Sequence, residues 1–593
     1  MKKIIYITSL LVAGSITSCD DFLDAPTKSS LDESVIFSTP DLAKGAVDGI
    51  KVSFGETNSY RGRFLPWYGM NTDVEWYNSS QSSGANSDLA VYTAKPDNSN
   101  MNTTNNAWAK MYEGIERANI CIRGLRAYGN PEPGTELGYL LGEALTLRAV
   151  YYSDLLKAWG DVIARFEPIN TETLYLSKSS RDEIYKQLLD DLGEASELVP
   201  WPNENEATFN VERVNKAFVK GLRARIALAA SGFQQYPTDG VRRSNDPELS
   251  VANMYALARQ ECLDVINSGS AKLDPSFEEL FRKYNQDYIG AGGESLWEIP
   301  FSAGRGRVLF TFAVRHRSVD QYTGQARGGQ AGPLPTTYYD YDVKDKRRDV
   351  SVVPYQWGTA SGGVSKQEPL DLSIWAFGKY RYEWMSRYVT STNDDGVNSL
   401  YMRYAEVLLM AAETENELNG PAAAAPYLKQ IRQRAFSSAD WATKVDAYVD
   451  AMDTKEKMFT AIVDEHKFEF CGEMLRKQAL IRWNLLGEKL ADAKTDMYEL
   501  RARTGKYADV PKTLYYEYDT DGETLLFYGL NRGETLDKSG EFDFSTTWVD
   551  VAELEDAKIE SLYAADPDTK QFWPIWQVFI DGSNGQLVND YGY

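Results

Sequence analysis

Aromatic side chains carry most of the chemistry this chain offers to a ligand: 14 Trp, 37 Tyr and 23 Phe. On helical stripes such residues fill a core, whereas an excess in loops makes a surface that stacks on a flat ligand. The densest loop grouping is RGRFLPWYGMNTDVEWYNSSQ, which sets Trp67, Tyr68, Trp76 and Tyr77 beside the hydrogen-bonding groups of Asn71, Asp73, Asn78 and Gln81. Platforms with polar neighbours suit a ligand that has apolar faces and a polar rim. A second wall is RHRSVDQYTGQARGGQAGP, where Arg317, Asp320, Gln321 and Tyr322 stand in a glycine-rich setting that could shape a loop over a ligand. Trp357 and Trp375 come third. Trp108, Trp159 and Trp483 instead lie on apolar helical stripes and are expected in the core.

Catalysis has less to build on. Glycoside hydrolysis needs only two carboxylates about 5 to 9.5 Å apart, and 86 acidic residues leave that open, but no local motif nominates a pair. Glu143 and Asp154, like Glu406 and Glu413, read as scaffold residues partnered by Arg148 and Arg403. A serine triad would depend on His316 or His466, the only two histidines, and the second stands in the helix-like run DEHKFEF as a surface or satisfied residue. No Cys or His cluster has metal-ligand spacing, so a zinc site is not expected. NDDG at 393–396 reads as a turn in preference to a calcium site. No cofactor is implied.

The chain opens MKKIIYITSLLVAGSITSCDDFLDAPTKSS. Two lysines precede an apolar run too short to cross a bilayer, the pattern of a secretory signal over residues 1–18. Ile16, Thr17 and Ser18 before Cys19 resemble the bacterial lipoprotein cleavage box, which implies a diacylglycerol thioether on Cys19 and a further acyl chain, such as palmitate, on its new amino group. Several chains give a lasting anchor where one binds reversibly. Residues 19–30 then form an acidic tether into a body spanning 31–593. Net charge is −23 and mean hydropathy −0.44, which argues against binding nucleic acid or anionic lipid headgroups. Cys121, Cys262 and Cys471 fall in segments of helical period and are expected as buried free thiols.

Helical signals come in pairs, about 105–270 and again about 400–487. NNAWAKMYEGIERANICIRGL lines up Trp108, Tyr112, Ile115, Asn119 and Ile122; GEALTLRAVYYSDLLKAWG lines up Leu147, Tyr151, Leu155 and Trp159 and stops at Gly160. SRDEIYKQLLDDLGEASELVP opens with a Ser180-to-Glu183 capping box and pairs with RVNKAFVKGLRARIALAASG. LYMRYAEVLLMAAETENELNG ends at Gly420, and the next helix starts at Pro421. The expected fold is mostly α, a tetratricopeptide-like scaffold of helix pairs. Segments 52–104, 285–398 and 500–593 lack helical period and are rich in aromatics; long irregular stretches of this kind usually carry function.

CDDFLD, AWAKMYEGIERAN, EALTLRAVYYSDLLKAWGDV, ESLWEIPF, DKRRD, LYMRYAEVLLMAAE, IRQRAF and EFCGEMLRKQALIRW, in this order, resemble the SusD-like (RagB/SusD) outer-membrane nutrient-binding lipoproteins of Bacteroidetes. The C-terminus departs from that pattern, with Asp590-Tyr591 where Asn-Pro is usual. The resemblance implies a binding protein and not an enzyme, lipid-anchored on the outer face of the outer membrane. Its implied role is to capture oligosaccharide or polysaccharide and deliver it, as a hinged lid, to a SusC-like TonB-dependent transporter. Asp20 and Asp21 match the acidic surface-export signal of such lipoproteins or are simply a solvated linker. The resemblance also sets Asp73 near the ligand groove and a binding loop after ESLWEIPF, with the ligand site expected at about 52–104 and 285–398. The alternatives are a peptide-binding relative and, further off, a surface glycoside hydrolase.

Overall fold

The computed structural model describes residues 32–593; Cys19, the signal and the tether through residue 30 lie outside the described residues. Helices follow the apolar stripes: α1 (Pro40–Lys51), α2 (Ala107–Gly124), α3 (Glu136–Trp159), α4 (Arg181–Leu198), α5 (Lys216–Ser231) and α6 (Val251–Ser268). After a long interval come α7 (Tyr404–Asn419), α8 (Pro421–Ala435), α9 (Lys455–Phe470), α10 (Arg476–Arg482) and α11 (Leu486–Ala502). Asn106, Thr135, Ser180 and Asn215 cap α2 to α5 by accepting first-turn N–H groups, donors that have no partner within a helix. Gly420 ends α7 at φ +90°, a conformation that costs glycine little, and Pro421 opens α8.

Successive helices pack in order from α2 to α6, α6 packs on α7, and α7 packs on both α8 and α9. The result is the tetratricopeptide-like array of helix pairs. Segment 269–403 interrupts it without separating α6 from α7, because Ser295–Ile299 pairs antiparallel with Ser399–Arg403 and closes the base of the excursion. Phe218 of α5 stacks on Trp297 of that ladder at 4.7 Å, pinning it to the array. Trp108, Trp159 and Trp483 are buried, and Cys121, Cys262 and Cys471 are buried free thiols.

The scaffold acids have other partners than their helix neighbours suggest. Glu143 pairs with Lys51 and Arg213, Asp154 with Lys157, Glu406 with Arg225 and Glu413 with Arg482. Arg148 pairs with Asp191, and Arg403 with Glu294, Glu469 and Glu473. Of these contacts only Asp154 with Lys157 lies within one helix; the others join separate segments of the chain. Segment 500–593 also departs from an irregular reading, since it holds a three-stranded antiparallel sheet, with Thr513–Tyr518 between Leu525–Tyr528 and Phe544–Thr547. At the unusual C-terminus, the Tyr591 ring lies 5.2 Å from Phe572 and its hydroxyl accepts from Arg181 at 2.5 Å. Among the described residues no helix is long and apolar enough to cross a membrane.

Candidate ligand-binding surface

The first sequence candidate folds inward. Trp67, Tyr68, Asn71, Asp73, Trp76 and Asn78 are buried, leaving Tyr77 half-buried and Gln81 exposed. Trp67 meets Tyr77 edge-on at 4.9 Å, and Tyr68 donates to Gln478 Oε1. Asp73 forms a two-pronged pair with Arg476; burial pushes its carboxyl up, and Arg476 more than reverses this. Asn71 donates to the carbonyls of Ser561 and Leu562 and accepts from Tyr77 N. Lys558 Nζ lies 4.0 Å from the Trp76 ring centroid and donates to the carbonyls of Tyr77 and Asn78; burial drives its pKa down to about 7. As open platforms Trp67, Tyr68 and Trp76 are therefore corrected. A long loop laid over helices has its own core to fill, and these rings fill it.

Trp357 and Trp375 are corrected for the same reason. Trp375 is fully buried against Trp548 at 4.9 Å. Trp357, 3% exposed, stacks on His316 and packs 4.7 Å from Tyr322. Yet the three candidate stretches do form one layer. Strand Glu75–Tyr77 pairs with Ala331–Pro333, the end of the second wall, and a Cβ on Gly332 would collide with Trp375 O. Only glycine allows that approach.

The second wall reaches the surface, and the C-terminal sheet extends it. Arg317, its side chain 47% exposed, pairs at 3.2 Å with Glu368 of strand Gln367–Pro369. Gln321 donates to Glu523 Oε2 at 2.9 Å and exchanges hydrogen bonds with the Ser365 backbone. Tyr322 lies half-buried beside them, its phenol pKa raised by burial and by Glu523. Next in line, Lys366 Nζ sits 4.8 Å from the Tyr518 ring centroid. Tyr516 stacks on Phe544 at 5.1 Å, and Tyr518 meets Phe544 edge-on at 6.3 Å. Phe544 is 46% exposed.

Tyr516, Tyr518, Phe544, Lys366 and Glu368 were not singled out from the sequence. For Tyr516 and Tyr518 the signal was there: TLYYEYDTDGETLLFYG alternates around a DTDG turn, the mark of a hairpin with an aromatic face, while Phe544, Lys366 and Glu368 lie outside it.

His316 anchors this surface from beneath. It is fully buried, with Nδ1 2.7 Å from Asp320 and Nε2 3.8 Å from Glu383. Burial pushes the imidazole pKa down, but the two carboxylates outweigh it and the net direction is up. Asp320 also accepts from the N–H groups of Tyr322 and Thr323, so it shapes the loop and does not face a ligand. His466 is neither on the surface nor satisfied: it is buried with Nδ1 unpartnered. Burial and nearby arginines hold its pKa well below the ordinary value. In the NDDG turn Asp395 accepts from the N–H groups of Leu309, Phe310 and Val397. Among the described residues no group of three or more His, Cys, Asp or Glu side chains could hold a metal ion.

A helix-pair array with an aromatic and polar layer folded over it defines a helical binding scaffold. The chain belongs to the SusD family, whose model matches residues 269–593; a second model, described as starch-binding associating with outer membrane, matches residues 21–228. SusD-like protein P2 of Formosa agariphila is 25% identical over 507 residues, covering 82% of this chain and 92% of the relative. SusD-like protein P25 of the same organism is 24% identical, covering 81% and 89%. Among solved structures, a SusD homolog from Bacteroides thetaiotaomicron superposes with TM-score 0.73 at 18% identity, over 95% of this chain and 99% of that one. Surface glycan-binding protein A from Bacteroides thetaiotaomicron, in complex with laminarihexaose, superposes with TM-score 0.60 at 18% identity, over 93% and 99%. At these identities the superpositions establish the fold.

Proposed function

We propose that this chain captures an oligosaccharide or polysaccharide on the surface that runs from Arg317, Gln321 and Tyr322 to Tyr518, Tyr516 and Phe544, with Tyr77 and Gln81 as outlying contacts. The observation that carries this reading is the exposed Phe544 ring stacked on half-buried Tyr516, beside an amide, carboxylate and guanidinium rim. Sugars present apolar C–H faces to aromatic rings and hydroxyls to such polar groups. A family described in part as starch-binding, and a relative solved with laminarihexaose, support the ligand class.

The same reading extends to place and partner. The protein is anchored to the outer membrane through lipid on Cys19, faces outward, and hands its glycan to a SusC-like TonB-dependent transporter that it covers as a lid. It acts by binding and not by catalysis. Affinity gel electrophoresis against a glycan panel is the test: one or more glycans retard the protein, and Tyr518→Ala and Phe544→Ala each weaken the retardation. Retention by peptides alone, or new reducing ends during incubation with a bound glycan, overturns the glycan-capture reading.

A further inference from the structure

Three arginines converge at the start of the first irregular segment. Arg61 and Arg63 flank Gly62 in the turn Tyr60–Phe64. Arg307 comes from the chain before Val308, and its Nη1 would stand 3.7 Å from a Cβ built on Gly62. The guanidinium of Arg307 also lies 4.3 Å from the Phe310 ring centroid. One carboxylate is ion-paired there, that of Asp394 with Arg61. Its neighbour Asp395 is fully buried and spent on three backbone N–H groups; burial raises its carboxyl to about 6.

Among the described residues neither Arg63 nor Arg307 has an ion pair or a side-chain hydrogen bond, and the Nε atoms of Arg61 and Arg307 are buried without partners. Arg61 is itself 6% exposed. Burial lowers the pKa of Arg63 and of Arg307; for Arg307 the Asp394 carboxylate offsets part of this, and Arg61 and Arg63 push it down again. A guanidinium taken from water without an anion is costly. Here three guanidinium groups share one ion-paired carboxylate, that of Asp394, in a chain with 86 acidic and 63 basic residues, where carboxylates to pair the others are plentiful.

We propose that Arg61, Arg63 and Arg307 form an oxyanion site that takes a carboxylate or sulfate group. Forked guanidinium donors match either group with paired hydrogen bonds. The cluster is tied to the ligand-binding surface by one segment: Tyr388 donates to Asp320 O, Gly324 N to Val389 O, Arg327 to Ser391 O, and Asp394 then meets Arg61. If the glycan reading holds, the anion is a uronate or sulfate ester on that glycan. Otherwise it is a free inorganic ion.

Calorimetric titration of the protein with inorganic sulfate at low ionic strength tests the site without any glycan. The expected result is saturable binding that weakens at least 10-fold in Arg63→Gln/Arg307→Gln, with a melting temperature equal to or above wild type because two unpaired charges are gone. Absent sulfate binding, equal affinity in the double variant, or a lower melting temperature overturns the proposal. A paired gel assay with an acidic glycan and its neutral counterpart identifies the source. Retention of the acidic form alone, lost in the double variant, supports a glycan anion. Sulfate binding without that preference supports a free ion. Sulfate binding with no glycan retained at all upholds the site and removes the glycan-capture reading.

Discussion

Where the helical stack meets segment 269–403, Arg347, Arg403 and Arg434 surround Glu469, while Asp345, Glu294, Glu465 and Glu473 take further donors of these arginines. All are buried or nearly so. Burial pushes Glu469 up, yet the three guanidinium groups overcome it and hold the carboxyl well below its ordinary range. In the loop layer, Arg63 and Arg307 are partly buried with no such partners among the described residues, and Arg317 pairs at the surface. The aromatics divide within the loop layer itself: Trp76 and Trp375 are sealed inside, while Phe544 stands open. The charges that fasten the fold are paired internally, although Arg434 Nε and the indole N–H groups of Trp76 and Trp375 have no partner. Groups left incomplete at the surface are the ones a ligand can complete.

The largest expected effect lies on the fastening side. Glu469→Ala leaves three buried guanidinium groups short of an anion and should cost about 3–5 kcal/mol of stability, read by urea denaturation. A loss below about 1 kcal/mol would mean that the network does not hold the stack together. Close behind, Trp375→Ala should cost about 3–5 kcal/mol as a large core cavity opens.

Phe544→Ala should move stability by less than about 1 kcal/mol while weakening glycan retention about 10-fold, equivalent to ~1.4 kcal/mol. If instead Phe544→Ala unfolds the protein and Trp375→Ala only releases glycan, the division between the two regions is drawn in the wrong place.

The smallest effect separates the two histidines. The native pKa of His316 is raised above 6.5, so its contribution is present below that pH and fades as pH rises through the native value. His466 is held well below 6.5, so the unfolded chain takes up its proton first and stability falls on acidification below that pH. Denaturation midpoints measured across this range should lose the alkaline decline in His316→Gln and the acid decline in His466→Gln. Every tenfold difference in proton affinity between the folded and unfolded chain is worth about 1.4 kcal/mol. An unchanged profile in His316→Gln would break its assignment as the charged anchor beneath Tyr322.

Much of the stack was legible in advance. The stop at Gly420 and start at Pro421, the Ser180 cap, and the inward faces of Trp108 and Trp159 were all visible as local spacing. The candidate surface was legible only in part. Arg317, Gln321 and Tyr322 reach it, whereas Trp67, Trp76, Trp357 and Trp375, the most prominent residues of the irregular segments, turn inward. Phe544 and Tyr516 carry no local mark of their meeting, because their pairing joins separate strands.

By itself the sequence determined the helix pairs, their ends, and the family resemblance, because a helix repeats every 3.6 residues and a stripe of apolar side chains must face the core. Only the tertiary structure decided which loop aromatics are buried, which acids answer which arginines, and which groups meet at one surface. Those outcomes depend on contacts such as Asp73 with Arg476 and Tyr516 with Phe544. An irregular segment has no period that marks its inward face, so burial there is set by whatever distant chain comes to cover it.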